Sequence, residues 1–345
     1  MFQPKPVPLI FGLLACIGLY FSNMGIGFVA NEVITRFVRD AVMVLALILP
    51  IQAGMGINFS IVVGALCAQV GLILALDFGT AGITGLIFMA VTGLLLSLAM
   101  GLVIGICLNR VRGREMITTI IMGFFATSIY QLIFMVGYGT LIRPGNQEIM
   151  LSRGIGIRNM VDLEMFRGIL DSLWLVEIGP LEFPFFMIAA VCIIALGITY
   201  LTRTRLGKQF FVVGRDPQKA LTLGIDVDRT RIKAIVLSTL IACLGHLFYI
   251  LNIGMLNVYT AHMNTDIFSC AALLAGGAGL AHARVSHAFW GILLFHTLFI
   301  VSPQAGQNLF GNPALGEYFR SFVAYGTIAF ALVANEWGKA NSFHC

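Results

Sequence analysis

Two histidines, His246 and His296, sit inside long apolar runs, and three amides, Gln52, Asn58 and Gln69, lie within or between others. Such groups can do two kinds of chemistry: move a proton, or hydrogen-bond a polar solute. Proton transfer and metal binding need a partner, and no acid stands at a sequence spacing that pairs with either histidine. Each histidine therefore reads first as a hydrogen-bonded residue of a helical bundle. An ionisable group at membrane depth is nonetheless a functional candidate by default, which keeps His246 in view. Unsatisfied amides in hydrocarbon are costly, so Gln52, Asn58 and Gln69 must face protein or a wet cavity. Tyr249 and Asn252 extend the set. With Ser238, Ala242 and Gly245 they form one stripe of a helix whose far end turns polar. These six, Gln52, Asn58, Gln69, His246, Tyr249 and Asn252, are the expected solute path. No catalytic residue and no metal ligand is expected.

The elements that must hold these residues are membrane helices. The chain has 345 residues, 59% hydrophobic and 11% charged, with a mean hydropathy of +0.93. A soluble protein of that size needs far more polar surface. Ten apolar segments approach spanning length: 8–29, 41–57, 60–76, 83–108, 116–137, 183–201, 232–252, 266–280, 285–302 and 319–337. The first lacks a small-residue cleavage site and is expected to be a retained helix. Segment 41–57 carries Pro50, Gln52, Gly54 and Gly56, and 266–280 is short and glycine-rich, so both predict broken or partial helices within the bundle. Gly93, Ser97, Gly101 and Gly105 recur every four residues, the spacing for close helix–helix approach. The seven cysteines show no metal-ligand spacing and read as small buried hydrophobes. The expected fold is an all-α polytopic membrane protein of about ten transmembrane or partial helices, some broken, forming one domain over 1–345.

Lysine and arginine set the orientation. With both termini inside, fourteen of the 21 fall on the inner side, eight of them between Arg203 and Lys233. Seven (Arg36, Arg39, Arg143, Arg153, Arg158, Arg167 and Arg320) fall outside. This bias predicts N-in, C-in. The outward loop 138–182 contains "MVDLEMFRGILDSLW", where Leu163, Phe166, Ile169 or Leu170, and Leu173 recur at helical spacing. It predicts an interfacial helix, compatible with a platform for an external partner.

The cytoplasmic loop 202–231 is charged but not featureless. Asp216-Pro217 reads as an N-cap with proline at the first helical position, and Gly224 as the stop. Between them, Leu221 and Leu223 are apolar residues that a bare loop would leave in water. A short rigid helix of this kind is something a soluble partner can grip, through Asp216, Pro217, Lys219, Ala220, Leu221, Leu223 and Gly224.

The stretch "TRLGKQFFVVGRDPQKALTLGIDVDRTRIKAIVLSTLIACLGHL", residues 204–247, resembles the coupling region of bacterial ABC-transporter permeases of the simple sugar, nucleoside and branched-chain amino acid branch. Gly207, Lys208, Gly214, Asp216, Ala220, Gly224 and Ile225 fill the positions of that motif. "LLAGGAGLA" (273–281) resembles the later L-G-G run, and "AGMGINFSIVVGA" (53–65) the G-I-D-L-S-V-G run, with Asn58 in place of the acid. The resemblance implies a permease subunit of an importer in the cytoplasmic (inner) membrane of a bacterium. It moves a small polar solute such as a sugar or nucleoside. Implied partners are an ABC ATPase carrying ATP and Mg, a second permease copy or related chain, and an extracytoplasmic solute-binding protein. No nucleic acid is expected, and the contact along the spans is membrane lipid. No G-x-x-x-x-G-K-[ST] loop occurs in this chain, so no cofactor is expected on it. The alternatives are a branched-chain amino acid permease, an ATP-independent secondary transporter and, more remotely, an intramembrane enzyme. The spans hold almost none of the acids that ion coupling would use, Asp266 sitting at an edge, and they lack a reactive pair.

Overall fold

The computed structural model describes residues 6–333, apart from 167–168, 170–173, 180, 313, 323–324, 327 and 330–332. Its elements are almost all helical, as an apolar chain requires when backbone groups must be satisfied without water. Helix α1 (Pro6–Ser22) rises to a turn at 23–25, and α2 (Ile26–Ala46) returns, followed by the short α3 (Ile48–Gln52). Then come α4 (Ile61–Asp77), α5 (Gly82–Arg110) and α6 (Glu115–Leu132), the last ending in a π turn at Ile133–Gly137. After the long loop follow α7 (Phe185–Arg203), α8 (Arg205–Arg215), α9 (Pro217–Thr222), α10 (Val227–Ile253), α11 (Thr265–Ala275) and α12 (Val285–Phe310). Five helical stretches among the described residues are long and apolar enough to cross a membrane: α5, α6 with its π turn, α7, α10 and α12.

The all-α polytopic expectation holds, but two boundaries move. Segment 8–29 is not one span, because α1 ends at Ser22 and α2 starts at Ile26. The segment placed at 41–57 is the lower part of α2 plus α3, so this span begins 15 residues earlier than hydropathy places it. Asn31, Glu32, Arg36, Arg39 and Asp40 make that stretch look like a loop. In the fold they lie along α2, and Arg36 and Arg39 leave the outer-loop tally. The tenth segment, 319–337, falls partly outside the described residues; 314–322 is helical.

The core is a layer of α2, α4, α5 and α10. The small-residue stripe of α5 runs against α10. A Cβ on Gly93 would stand 3.2 Å from the Cys243 sulfur, and one on Gly101 or Gly105 would stand 3.0 Å from the Val236 or Ile232 Cα. Between them, Ser97 Oγ donates to the Thr239 carbonyl at 2.8 Å. On the next face of α10, Ser238 Oγ donates to Ala46 O at 2.8 Å, and a Cβ on Gly245 would meet the Met43 backbone nitrogen at 2.8 Å. Backbones this close leave no room for lipid, which fixes α2, α5 and α10 as one slab.

The loop after α6 folds as a cap over one end of the bundle. Asp77 Oδ1 accepts from the backbone N–H groups of Gly145 and Asn146 at 2.8 and 3.2 Å, and the Tyr259 hydroxyl bridges the carbonyls of Phe134 and Ile157. The interfacial helix expected here does not form in its first part. Met160–Asp162 is strand β1, paired antiparallel with β4 (Met255–Asn257) beyond α10, and Glu164–Phe166 is a single 3-10 turn. Leu163 and Phe166 are buried, and Phe166 packs on Gly85 of α5. Inter-strand hydrogen bonds and burial on α5 satisfy this segment better than a free amphipathic helix could. Residues 167–168 and 170–173, which carried the rest of the pattern, lie outside the described residues. A hairpin of β2 (Leu175–Ile178) and β3 (Leu181–Pro184) leads into α7.

Candidate functional site

Helix α2 carries its charged residues in its middle. At 1.5 Å per residue, Arg36 and Arg39 stand roughly 15–20 Å along the helix from Ile26. There they face α10, α11 and α12 and line a cavity of about 220 Å³. Asp40, Met43 and Val44 complete the α2 wall; His246 and Tyr249 come from α10, Phe268 and Ser269 from α11, and Phe295, His296 and Phe299 from α12. Asp40 Oδ2 lies 3.2 Å from His296 Nε2 and Oδ1 lies 3.7 Å from Arg39 Nε. Arg36 Nε stands 3.7 Å from Glu32, one turn nearer the rim. The guanidinium carbons of Arg36 and Arg39 lie 5.5 and 5.4 Å from the ring centroids of Phe299 and Tyr249. The aromatic ring faces hold the cations by their negative quadrupole. The acid partner that sequence spacing denied His296 is thus Asp40, brought over from α2.

Gln69 and His246, both expected on the solute path, meet at 3.0 Å between Nε2 atoms in a fully buried network. The Gln69 amide satisfies both ends when its oxygen accepts from His246 Nε2 and its nitrogen donates to His262 Nδ1 at 3.3 Å and to the Tyr130 hydroxyl at 2.9 Å. The His246 ring stacks on Tyr249 at 5.4 Å. His262 and Met263 face a second cavity of about 360 Å³ toward α6, lined also by Asp266 and Thr127. Gln69 therefore bridges a histidine of one cavity to a histidine of the other. A larger cavity of about 520 Å³ between α4, α5 and α6 has an aliphatic and aromatic lining, with Tyr130 and two cysteines its nearest approach to polarity.

The remaining three amides lie elsewhere. Asn58 is buried in the turn before α4, where its Oδ1 accepts from the Ser60 backbone at 3.1 Å and its Nδ2 donates to Ser238 Oγ at 3.2 Å. That role is structural satisfaction. Gln52 ends α3 at the opposite end of the bundle from the loop cap, its Nε2 donating to the Ala283 carbonyl at 3.1 Å. Asn252 is half-buried near the end of α10, outside the lining of the 220 Å³ cavity.

The 202–231 loop is largely helical. Thr204 starts α8, which buries Gly207, Phe210 and Val213. Asp216 then caps α9 as expected, its Oδ1 accepting from the N–H groups of Gln218 and Lys219 at 3.0 Å each. Gly224 takes the left-handed φ of 72° that ends it. The apolar residues divide. Ala220 is fully buried with Val213 and Val227, so it holds α9 to its base and presents nothing outward. Leu221 and Leu223 are 54% and 68% exposed. The pair α8–α9 touches the bundle backbone to backbone. A Cβ on Gly54 would meet the Gly214 Cα at 2.6 Å, and one on Gly214 would collide with the Gln52 carbonyl. Behind it, Arg231 joins Glu115 of α6 at 2.5 Å, largely buried, and Arg112 pairs with Asp228.

Sequence reasoning missed Arg36, Arg39 and Asp40. Their signal was available: Glu32, Arg36, Arg39 and Asp40 share one helical face at three- and four-residue spacing.

Comparison with known proteins follows the same line. The "Fructose import permease protein FrcC" of Rhizobium meliloti is 31% identical over 142 residues, 41% of this chain and 38% of the relative's length. The shared stretch thus spans well under half of that relative. No solved structure matches. Residues 29–332 match the family described as "Branched-chain amino acid transport system / permease component". The chain is a multi-pass membrane transport subunit belonging to that permease family.

Proposed function

We propose that this chain is the permease subunit of an ATP-driven ABC importer in a bacterial inner membrane, moving a small polar solute of sugar-like size. The observation that carries this reading is the charged, aromatic-walled cavity at the middle of α2, within a bundle of largely apolar helices. An apolar cavity of ~150 Å³ accepts a benzene-sized ring, so 220 Å³ suits one six-membered ring with polar substituents. The printed name of the similar fructose permease agrees with that size and polarity.

In this scheme a separate ATPase grips the exposed face of α9 through Leu221 and Leu223. Its movement passes through the Gly214–Gly54 contact to the α3–α4 turn, and from there to α2, which bears Arg36, Arg39 and Asp40. The cavity would then open alternately to either side. An external binding protein delivers the solute to the loop cap, and a second permease copy or a related chain completes the pair.

The test is uptake of labelled monosaccharides by cells co-expressing the chain with a candidate ABC ATPase and a candidate solute-binding protein. Ser269→Trp fills the cavity from α11 and should abolish uptake while the ATPase still co-purifies. Unchanged uptake in that variant would remove the cavity from the route.

A further inference from the structure

We infer that the solute carries a carboxylate on its ring, held by Arg36 and Arg39; this rests on reading the 220 Å³ cavity as the solute site. Three observations point there. The lining contains two guanidinium groups and one carboxylate, Asp40, and Asp40 is already engaged by His296 at 3.2 Å. Glu32, the neighbour of Arg36, is not among the lining residues. The lining therefore presents one more cation than anion to a solute, the counter-charge of Arg36, Glu32, standing 3.7 Å from it outside the lining.

The Nε–H groups of Arg36 and Arg39 are also both buried and without a hydrogen-bond acceptor, their carboxylate neighbours lying 3.7 Å away. A buried donor left unmade is a rarity that asks for an acceptor. Finally, each guanidinium lies over an aromatic ring, Arg36 5.5 Å from the Phe299 centroid and Arg39 5.4 Å from that of Tyr249. Two planar forks set in this way are suited to a planar acceptor with two oxygens. A neutral hydroxyl would satisfy one donor at a time and leave the excess charge in place. Phe268, Phe295 and Phe299 supply the apolar wall against which the ring of the solute lies.

The experiment is a thermal-shift titration of the purified full chain in nanodiscs, at constant ionic strength. The probes are two ring-matched pairs: glucuronate with glucose, and benzoate with benzyl alcohol. At least one carboxylate should stabilise the protein where its neutral partner does not. Arg36→Gln and Arg39→Gln should each weaken that binding by about tenfold or more, the usual worth of a charge-assisted hydrogen bond. Ser269→Trp should abolish it. Equal binding of the two members in both pairs overturns the inference, as does binding by neither carboxylate. Glucose binding that survives both arginine variants but not Ser269→Trp separates the two readings: the cavity stands as the solute site and the carboxylate falls.

Discussion

The cavity at α2 and the pair α8–α9 are built by opposite means. The pair is local: cap, proline, exposed leucines and stop all fall between Asp216 and Gly224, and the cap acts on its chain neighbours. The cavity draws on α2, α10, α11 and α12, and none of its polar contacts between elements is close in sequence. Local devices are fixed by residue type and spacing. Distributed ones depend on which helices pack together, and here that is decided by glycine and serine stripes that carry no chemistry of their own.

Substitutions can break this contrast. The largest expected effect is at Ala220. Ala220→Glu places a carboxylate among Val213 and Val227, at a cost of about 3 kcal/mol or more, so α9 should detach and the melting temperature fall. It therefore tests the fold of the pair and not its docking. Docking is tested by Leu221→Glu with Leu223→Glu. Both side chains are exposed, so stability should change by under about 0.5 kcal/mol each, while transport and ATPase co-purification are lost. Wild-type recovery of the ATPase with the double variant would show that α9 is not the grip.

At the cavity, Tyr249→Ala removes the ring stacked on His246 and facing Arg39. That loses about 1 kcal/mol of cation–π attraction, so solute affinity should fall severalfold, while ATPase co-purification, read on the same preparation, stays intact. Loss of the ATPase instead would mean that the two regions are not separable.

Orientation is probed by single cysteines in a cysteine-free background. Positions 148 and 310, both exposed, should react with an impermeant reagent from outside and position 218 only from inside. Labelling of 218 in sealed right-side-out vesicles would invert the topology.

The smallest effect is the cap. Backbone hydrogen bonds, that of Lys219 foremost, hold Asp216 below the ordinary carboxylate range. A depressed folded value means that the cap contributes fully above the unfolded value and is lost as pH falls through the folded one. Asp216→Asn, which also caps, should leave helicity near neutral pH unchanged, and Asp216→Ala should fray α9, as read by hydrogen exchange at Lys219.

The same contrast explains what could be read from the sequence alone. The capped helix, the α5 stripe and the broken segments near 50 and 270 were legible because each is encoded by neighbours one or two turns apart. The burial of Ala220 was not, since its contacts come from α8 and from the start of α10. Gln69 and His246 were singled out as polar groups in apolar runs, but their meeting depends on the packing of α4 against α10, and the bridge to His262 on the loop after β4. Helix α2 was misplaced because averaging hydropathy penalises Glu32, Arg36, Arg39 and Asp40; the Glu32–Arg36 and Arg39–Asp40 pairs are local to the helix, while the Asp40–His296 contact comes only from packing. The interfacial helix failed for a similar reason: Leu163 and Phe166 have helical spacing, yet a strand partner beyond α10 claims the backbone ahead of them.

Gly214 and Gly54 meet without side chains between them. A joint padded by leucine or methionine has slack, because side chains change rotamer before the backbone moves. Bare main chain against main chain behaves as a stiff linkage with almost no backlash. In such a linkage even a displacement of the cytoplasmic lever too small to swap a rotamer reaches the end of α3 undamped. On the proposed ATP-driven scheme, timing between ATP turnover and solute release would then be set by the ATPase stroke and not by relaxation inside the membrane subunit.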